Sequence, residues 1–474
     1  MYKIKRCMKK LPFLCLVLVF AACMLFTGCG SVSADDYQAM VKSDVYDNYE
    51  LFKNDLGRLK NEKQMLTYFQ RWAAKHKIYN DRWDDNGLIL QESAAKDSKN
   101  KKSTLLECTV NASDIASTAK EAAMALTAML NASTHGEISI LFTKAGAAAT
   151  VPDKYLEVDN LISLTERNTP RLFTGSAAQA STTIHKNLST TAPDTGTAFK
   201  ISISGCTGGD SAVREYAHPN PIREIGAVLN NCREDGLVMR IASFQGGQSD
   251  AEFVQSASAV VWVANSEATK FENKFENAIS KYKDKYMKHE SDLTFTIEAT
   301  SMPSTVFTSE DTYSILSLLY TLHDGRYDPD ADTDEEDDKK DEELTAFANI
   351  GTISTKGDDL TIGICLRAID QDTFTKMLKT YKDTAELSDA KWKVNESIPL
   401  WNGSDNNALV RDITNMADKN DIKLTADTTF KTTNAAIYAD KNSKMQVIAL
   451  GVDMQDATEL TSTLLMYLDG QANT

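Results

Sequence analysis

Residues 103–114 read Ser-Thr-Leu-Leu-Glu-Cys-Thr-Val-Asn-Ala-Ser-Asp, an apolar run that passes into a short polar stretch. The apolar run at residues 104–106 predicts a buried strand. An alanine-rich stretch at residues 116–130 predicts a helix, and residues 138–142 predict the next buried strand. Strands that alternate with helices at this pace indicate an α/β layer with a largely parallel sheet.

The pattern changes in the middle of the chain and then returns. Residues 199–204 and 293–297 alternate apolar and polar side chains, which predicts strands with one buried face. Further strands are expected at 260–263 and 360–365, with helices near 222–230 and 267–289. From about residue 394 the pattern is α/β again, with a helix at 408–419, a strand at 445–451 and a last helix ending at Leu468. The sequence therefore predicts an α/β domain, with a central mixed sheet flanked by helices, interrupted by an inserted α+β domain.

The first 28 residues have the pattern of an export signal, with a basic start and an uncharged apolar run at residues 11–27. The sequence around Cys29, Leu25-Phe26-Thr27-Gly28-Cys29-Gly30-Ser31, resembles the lipobox of bacterial lipoproteins. That resemblance implies lipid attachment at Cys29 and a membrane-anchored, extracytoplasmic protein. Cys23 is a weaker second candidate, and an ordinary cleaved signal is the alternative. Residues 29–45 are interpreted as a polar tether, and a helical pattern follows at residues 46–76.

The composition excludes several classes of protein. Removing the signal would remove five of the 51 basic residues and none of the 67 acidic ones, so the formal net charge would go from −16 to −21. This charge argues against binding to nucleic acid. Cys108, Cys206, Cys232 and Cys365 are widely scattered, which excludes a zinc ribbon and a dense disulfide framework. A Cys206–Cys232 disulfide and buried free thiols both remain open.

The acidic run at residues 328–343 begins like a calcium-binding loop, with aspartate at its first, third and fifth positions. Thr333 stands where such a loop needs glycine, and Lys339 stands where it needs a bidentate glutamate. A solvated acidic loop is therefore the favoured interpretation, and calcium binding stays open.

Landmarks along residues 45–470 resemble the zinc dipeptidases of the aminoacylase/carboxypeptidase clan, most of all the bacterial aminoacyl-histidine dipeptidases with a long lid domain. The resemblance rests on the order and spacing of short stretches, namely 68–75, 85–89, 135–143, the Gly-Cys-Thr-Gly-Gly-Asp-Ser turn at 205–211, 244–247, 309–312, 322–325 and 399–402. It implies a metallopeptidase-like catalytic domain at residues 46–190 and 394–474 and an inserted lid/dimerisation domain at residues 191–393. A homodimer through the lid domain is a further implication of this resemblance.

The chain departs from this family at its functional positions. Where the family has a Gly-His-x-Asp ligand pair, the sequence has Cys108-Thr109-Val110-Asn111, so the ligand positions hold Thr109 and Asn111. The other metal-site and catalytic positions of the family fall on Ala119, on Ala145, Gly146 and Ala147, and on Thr165. The lid histidine falls on Asp210 and the lid asparagine on Ala251. The last histidine has no counterpart in residues 451–456.

A paired zinc site needs carboxylate and imidazole ligands that ionise a bridging water, and a glutamate that carries its proton. Thr, Asn, Ala and Gly side chains supply neither the charge nor the nitrogen ligands, so the sequence predicts an erased metal site with no catalytic residue and no cofactor. The six histidines form no His-x-His, His-x-Asp or HExxH arrangement. No G-x-S-x-G elbow or phosphate-binding loop is present either.

The prediction is a membrane-anchored, non-catalytic pseudoenzyme that binds a peptide or an envelope protein or serves as a scaffold. An active metallo-dipeptidase with a rearranged metal site and a solute-binding lipoprotein are the alternatives.

Overall fold

The computed structural model describes residues 32–470 except residues 99, 168, 214–216 and 328–343. The predicted export signal, Cys29 and the acidic run lie outside the described residues. The strands in chain order are β1 (Tyr79–Trp83), β2 (Gly87–Glu92), β3 (Thr104–Val110), β4 (Ile138–Lys144), β5 (Asn160–Glu166), β6 (Arg171–Ser176), β7 (Ala178–Asn187), β8 (Thr190–Thr191), β9 (Gly196–Ser204), β10 (Met239–Gly246), β11 (Ala257–Ala264), β12 (Thr294–Thr300), β13 (Val306–Phe307), β14 (Gly325–Arg326), β15 (Ala346–Lys356), β16 (Asp359–Ala368), β17 (Lys391–Ile398), β18 (Trp401–Asn402), β19 (Ala426–Thr429) and β20 (Gln446–Val452).

The helices alternate with these strands at both ends of the chain and flank the second sheet in the middle. In chain order they are α1 (Ala34–Leu56), α2 (Glu62–His76), α3 (Ile115–Asn131), α4 (Pro221–Glu234), α5 (Ala268–Tyr286), α6 (Ser309–Thr321), α7 (Gln371–Leu387), α8 (Ala408–Lys419), α9 (Asn434–Lys441) and α10 (Ala457–Leu468). Short 3₁₀ turns at Ala148–Thr150 and Asp153–Tyr155 follow β4.

The first sheet is mixed, with the order β1-β2-β4-β3-β5-β20-β6-β18 and with β19 paired to β6. Its central strands β4, β3, β5 and β20 are mutually parallel. The sequence predicts β3 and β4 as buried strands and β20 as a strand, whereas it does not predict β5. Helices α1, α3, α8 and α10 pack together on one face over an extensive apolar core. Helix α9 and the 3₁₀ turns pack on the other face.

Helix α1 differs from the tether expected over residues 29–45. Its capping box begins at Ser33, and Tyr37, Val41 and Val45 are buried against the core. The segment is amphipathic, so tertiary packing stabilises it as a helix although its composition is largely polar. The helical pattern at residues 46–76 is in fact two helices, because the chain turns at residues 57–61 and Asn61 caps α2.

The second sheet is antiparallel throughout, with the order β12-β9-β11-β10-β15-β16-β7-β17 and with β14 paired to β15. Helices α4, α5, α6 and α7 supply apolar side chains to the core on one of its faces. The chain passes from the first sheet to the second at Ala177 and returns at residues 399–400, whereas the sequence places these boundaries near residues 190 and 393. The predicted α/β domain with an inserted α+β segment is confirmed.

Candidate functional site

The parallel strands place several of the predicted positions at one edge of the first sheet. Because β4, β3, β5 and β20 are parallel, their carboxyl ends lie along the same edge, where α/β proteins bind ligands. Thr109 is paired with Thr143 of β4, and the Ala145 N–H donates to the Val110 carbonyl at 2.9 Å. Thr165 is paired with Gly451 of β20. This edge is the candidate functional site.

The space between the end of β3 and the start of α3 is closed by hydrogen bonds within the chain. The Thr109 N–H donates to Glu121 Oε2 at 2.8 Å, and the Asn111 N–H donates to Thr118 Oγ1 at 3.0 Å. The Thr118 hydroxyl in turn lies 3.3 Å from the Thr109 carbonyl oxygen. Ala119 is fully buried inside α3. Strand and helix are therefore joined directly, through Thr118 and Glu121.

The turn after β4 contributes backbone N–H and carbonyl groups to the candidate site, and its side chains are small. Gly146 has a φ of 75°, a conformation that favours glycine, and the Ala147 N–H donates to the Lys144 carbonyl at 2.9 Å. Ala145 and Ala147 have only methyl groups at this edge. No atom of residues 145–147 outside the backbone is able to bind a metal ion or move a proton.

A second hydrogen-bond network covers the opposite face of β3. Glu107 is fully buried, and its Oε2 accepts from the Ser163 hydroxyl at 2.6 Å. Asn434, the first residue of α9, donates from Nδ2 to Glu107 Oε1 at 2.8 Å and to Thr109 Oγ1 at 3.1 Å. The Tyr438 hydroxyl also donates to Glu107 Oε1, at 3.3 Å. Sequence reasoning missed Glu107, Glu121 and these partners, although a glutamate inside the apolar run of β3 was a usable signal.

Burial governs the protonation of the acidic groups next to this edge. Burial raises the pKa of Glu107, against hydrogen bonds from Ser163 and Asn434 that favour the ionised form. Burial, and then the charge of Glu107, raise the pKa of Glu121 well above its ordinary value. Burial likewise raises the pKa of the Cys108 thiol, which follows Glu107 in β3. Burial therefore shifts all three groups toward their neutral forms.

An arginine follows β5 at the same edge. Arg167 Nη1 donates to Thr165 Oγ1 at 3.2 Å, and its guanidinium lies 5.0 Å from the centre of the Phe173 ring. A side chain at Gly451 would overlap the aliphatic part of Arg167. Thr165 therefore contacts a cation of the chain itself.

Asp210 and Ala251 lie in the second domain, away from this edge but close to each other. Asp210 Oδ1 accepts from Arg367 Nη2 at 3.1 Å, and its Oδ2 lies 3.8 Å from Lys431 Nζ. The Ala251 carbonyl accepts from the N–H and the hydroxyl of Ser211, each at 2.9 Å. Because Lys431 follows β19 of the first sheet, Asp210 forms an ion pair between the two domains.

The residues at the candidate site do not fit a zinc pair. No group of three or more His, Cys, Asp or Glu residues within the described ranges is arranged to hold a metal ion. His76 contacts the Trp72 carbonyl, His135 the Gly136 carbonyl and His185 the Asp359 carboxylate. Of the two alternatives left open for the cysteines, the structure has free thiols, and Cys108, Cys206, Cys232 and Cys365 are all buried.

Comparison with solved structures identifies the fold. The chain is similar to the aminoacylhistidine dipeptidase of Vibrio alginolyticus, with a TM-score of 0.66 and 16% identity over 91% of this chain and 98% of that chain. It is also similar to a tripeptidase of Staphylococcus aureus, with a TM-score of 0.52 and 11% identity over 92% of this chain and 100% of that chain. At these identities the likeness shows a dipeptidase-like fold.

No model of a protein family matches the sequence, and no curated protein matches it significantly. In the part of the chain that the structure describes, no helix is both long and apolar enough to cross a membrane.

Proposed function

We propose that the protein is a cell-envelope lipoprotein whose dipeptidase-like fold has lost its di-zinc site and serves for binding. The observation that carries the proposal is the closed junction of β3 and α3. At this junction the Thr109 N–H donates to Glu121 at 2.8 Å, and the Asn111 N–H donates to Thr118 at 3.0 Å. A zinc hydrolase needs open ligand positions for its metal ions and a water molecule that the metal ions ionise. The side chains of Thr109 and Asn111 provide neither.

The ligand proposed for this fold is a peptide or an envelope protein bound between the two domains. Clefts between domains are common ligand sites, and the fold keeps two connections between its sheets, at Ala177 and residues 399–400. A homodimer through the second domain is proposed from the same resemblance. Light scattering on the domain without its signal separates a dimer from a monomer, and a monomer at micromolar concentration would exclude the dimer.

The decisive experiment measures metal and hydrolysis together on the chain expressed without its signal and purified without chelators. We expect zinc and manganese far below one equivalent per chain, together with no release of amino acids from dipeptides. An active zinc dipeptidase, purified and assayed in parallel, is the positive control. Stoichiometric metal with dipeptide hydrolysis would reject the proposal and favour a rearranged metal site. A small molecule that co-purifies with metal-free protein would favour the solute-binding alternative.

Membrane anchoring is tested separately with two cysteine variants of the full chain. Cys29→Ser should release the protein from the membrane fraction, because the acylated residue is lost. Cys23→Ser is the matched control and should leave the protein in the membrane fraction. Release by Cys23→Ser alone would move the attachment site to residue 23.

A further inference from the structure

The link between the proposed lipid anchor and the folded domain is short. Three residues, at positions 30–32, separate Cys29 from Ser33, the N-cap of α1. A link of this length reaches at most about 14 Å, even when fully extended. Because an acylated cysteine lies at the surface of the bilayer, the link holds the start of α1 close to the lipid headgroups.

The start of α1 is fixed to the first domain and does not lengthen the link. Ser33 and Asp36 form a capping box, in which the Ser33 N–H donates to Asp36 Oδ2 at 3.0 Å. The Tyr37 hydroxyl donates to Asp469 Oδ2 at 3.4 Å, and Val41, one turn further on, is fully buried. The first turns of α1 are therefore part of the folded domain, and the short link holds the domain itself near the bilayer.

The contacts of Asp469 show at which edge of the first sheet the helix begins. Asp469 Oδ1 accepts from the N–H groups of Ser133 and Thr134 at 2.7 and 2.8 Å, and these two residues lie between the end of α3 and the start of β4. Asn100, in the loop before β3, donates from Nδ2 to the Tyr467 carbonyl at 3.2 Å. The start of α1 therefore lies at the amino ends of the parallel strands.

The candidate functional site lies at the opposite edge of the sheet. It is separated from the amino ends of the strands by the length of β3, which is seven residues or about 23 Å. The far end of α1 lies on the side of the candidate site, because Glu62 Oε1, in the helix that follows, accepts from the Ala112 N–H at 3.1 Å. The anchor and the candidate site are therefore at opposite ends of the first domain.

The side of α1 is a poor surface for contact with anionic lipid. Over its middle turns Asp44, Asp47 and Glu50 are exposed, with the exposed Lys42 and Lys53 at either end of this stretch. Anionic headgroups repel carboxylates, so an orientation in which α1 lies flat on the bilayer is unfavourable.

The loop before β3 is better suited to face the headgroups. It exposes Lys96 and Lys101, and its one acidic residue is the exposed Asp97. Exposed lysines attract anionic headgroups and add to the strength of a lipid anchor. The first turn of α1 exposes Asp35 and Asp36, so the short link, and not charge, brings that turn to the bilayer.

We propose that the anchored protein stands on the bilayer with the amino-end edge of its first sheet toward anionic lipid headgroups, which contact the loop before β3. The candidate functional site then faces away from the membrane, and a ligand reaches it from the aqueous phase. This inference rests on the lipid anchor of the proposed function and adds the surface of the domain that faces the membrane.

Spin labels at two exposed positions measure this orientation in the full acylated chain, reconstituted into vesicles of phosphatidylcholine and phosphatidylglycerol that contain a nickel-chelating lipid. Ala94→Cys places a label in the loop before β3, and Asn54→Cys places one near the far end of α1. Asn54 lies about 30 Å along α1 from Ser33, so nickel at the headgroups should enhance spin relaxation about threefold more at Ala94 than at Asn54. The four cysteines of the described residues are buried, so the chain without an added cysteine is the labelling control.

The anchor and the orientation fail in distinguishable ways. If the acylated chain does not sediment with the vesicles, the anchor is rejected and the orientation with it. If the chain sediments but the two labels show equal enhancement, or Asn54 shows the greater one, the anchor stands and the orientation alone is overturned.

Charge variants test the contact between the loop and the headgroups. Lys96→Gln combined with Lys101→Gln should reduce the ratio of the two enhancements by about half, because the attraction to phosphatidylglycerol is weakened. Lys53→Gln combined with Lys60→Gln, two exposed lysines near the far end of α1, is the matched control and should leave the ratio unchanged. An unchanged ratio in the variant of the loop would overturn its contact with the headgroups.

Discussion

Glu107 and Glu121 are two carboxyl groups buried next to the candidate functional site. Both are buried in the first domain, and both are held by neutral donors, Ser163 and Asn434 for Glu107 and the Thr109 N–H for Glu121. A buried carboxyl group without a cation is stable mainly in its protonated form. At the residue scale, burial therefore shifts both carboxyl groups next to the candidate site toward protonation.

This protonation predicts how stability depends on pH. The pKa of Glu121 is higher in the folded chain than its ordinary value of 4.5, so the folded state holds the proton more firmly. Its contribution to the free energy of unfolding is complete below that ordinary value and is lost as the pH rises above it. The loss is at most about 1.4 kcal/mol per pH unit for one proton.

Urea unfolding at pH 5 and pH 8 checks this expectation. The Glu121→Gln variant, which keeps a neutral side chain at both values, should lose less free energy of unfolding between them than the unmodified chain loses. Glu272→Gln, at an exposed position of α5, is the control and should behave as the unmodified chain does. Equal pH dependence of all three proteins would show that Glu121 does not titrate as argued.

At the scale of elements, glycine residues in two turns of the second domain are more constrained than the sequence alone indicates. Gly247 follows β10 with a φ of 70°, and a Cβ atom there would overlap the carbonyl oxygen of Gly351. Gly357, in the turn between β15 and β16, has a similar φ of 62° but open space around it. The two positions share a backbone conformation and differ in packing.

Alanine substitutions at Gly357 and Gly247 separate the cost of the left-handed backbone conformation from the cost of steric overlap. Gly357→Ala should cost about 1 kcal/mol, the penalty of a left-handed backbone for a residue with a Cβ atom. Gly247→Ala should cost at least twice as much, because the Gly351 backbone must also move. Chemical denaturation of both variants gives the comparison. Equal losses would mean that the contact between these turns relaxes freely.

For the whole molecule, two polar contacts join the domains near the connections between the sheets. The Ala177 N–H donates to the Thr429 carbonyl at 3.0 Å, and Asp210 Oδ2 lies 3.8 Å from Lys431 Nζ. Arg367, which is almost fully buried, holds the other oxygen of Asp210. An ion pair anchored in this way limits rotation between the domains, although exposed pairs add less than about 1 kcal/mol to stability.

Lys431→Ala should therefore change the distance between the two domains more than it changes the Tm. Spin labels at Lys75→Cys and Thr296→Cys, both exposed and in different domains, report the distance between the domains by double electron–electron resonance. We expect a broader distance distribution in Lys431→Ala and a Tm within a few degrees of the unmodified chain. Lys379→Ala, which breaks an ion pair with Asp383 inside α7, is the control. An unchanged distribution would show that other contacts fix the domains.

The sequence by itself determined the elements whose patterns are local. The buried strands β3 and β4, the alanine-rich α3 and the helix α8 follow from periodicity within short windows, and so does the change from parallel to antiparallel character. It also predicted that Thr109, Asn111 and Ala145, which the structure places at or just after the carboxyl ends of β3 and β4, carry neither a carboxylate nor an imidazole.

Only the tertiary structure decided how those positions are used. Helix α1 forms because Tyr37 and Val41 find an apolar core contributed by distant segments, which no local window contains. The raised pKa values of Glu107 and Glu121 arise because α3 and α9 pack against β3 and bury both carboxyl groups. The same holds for Asp210 and Lys431, which lie more than two hundred residues apart in the chain. The pattern of apolar residues determines which helices and strands form. The burial of a polar side chain, and the partner it pairs with, depend on residues that the fold brings next to it.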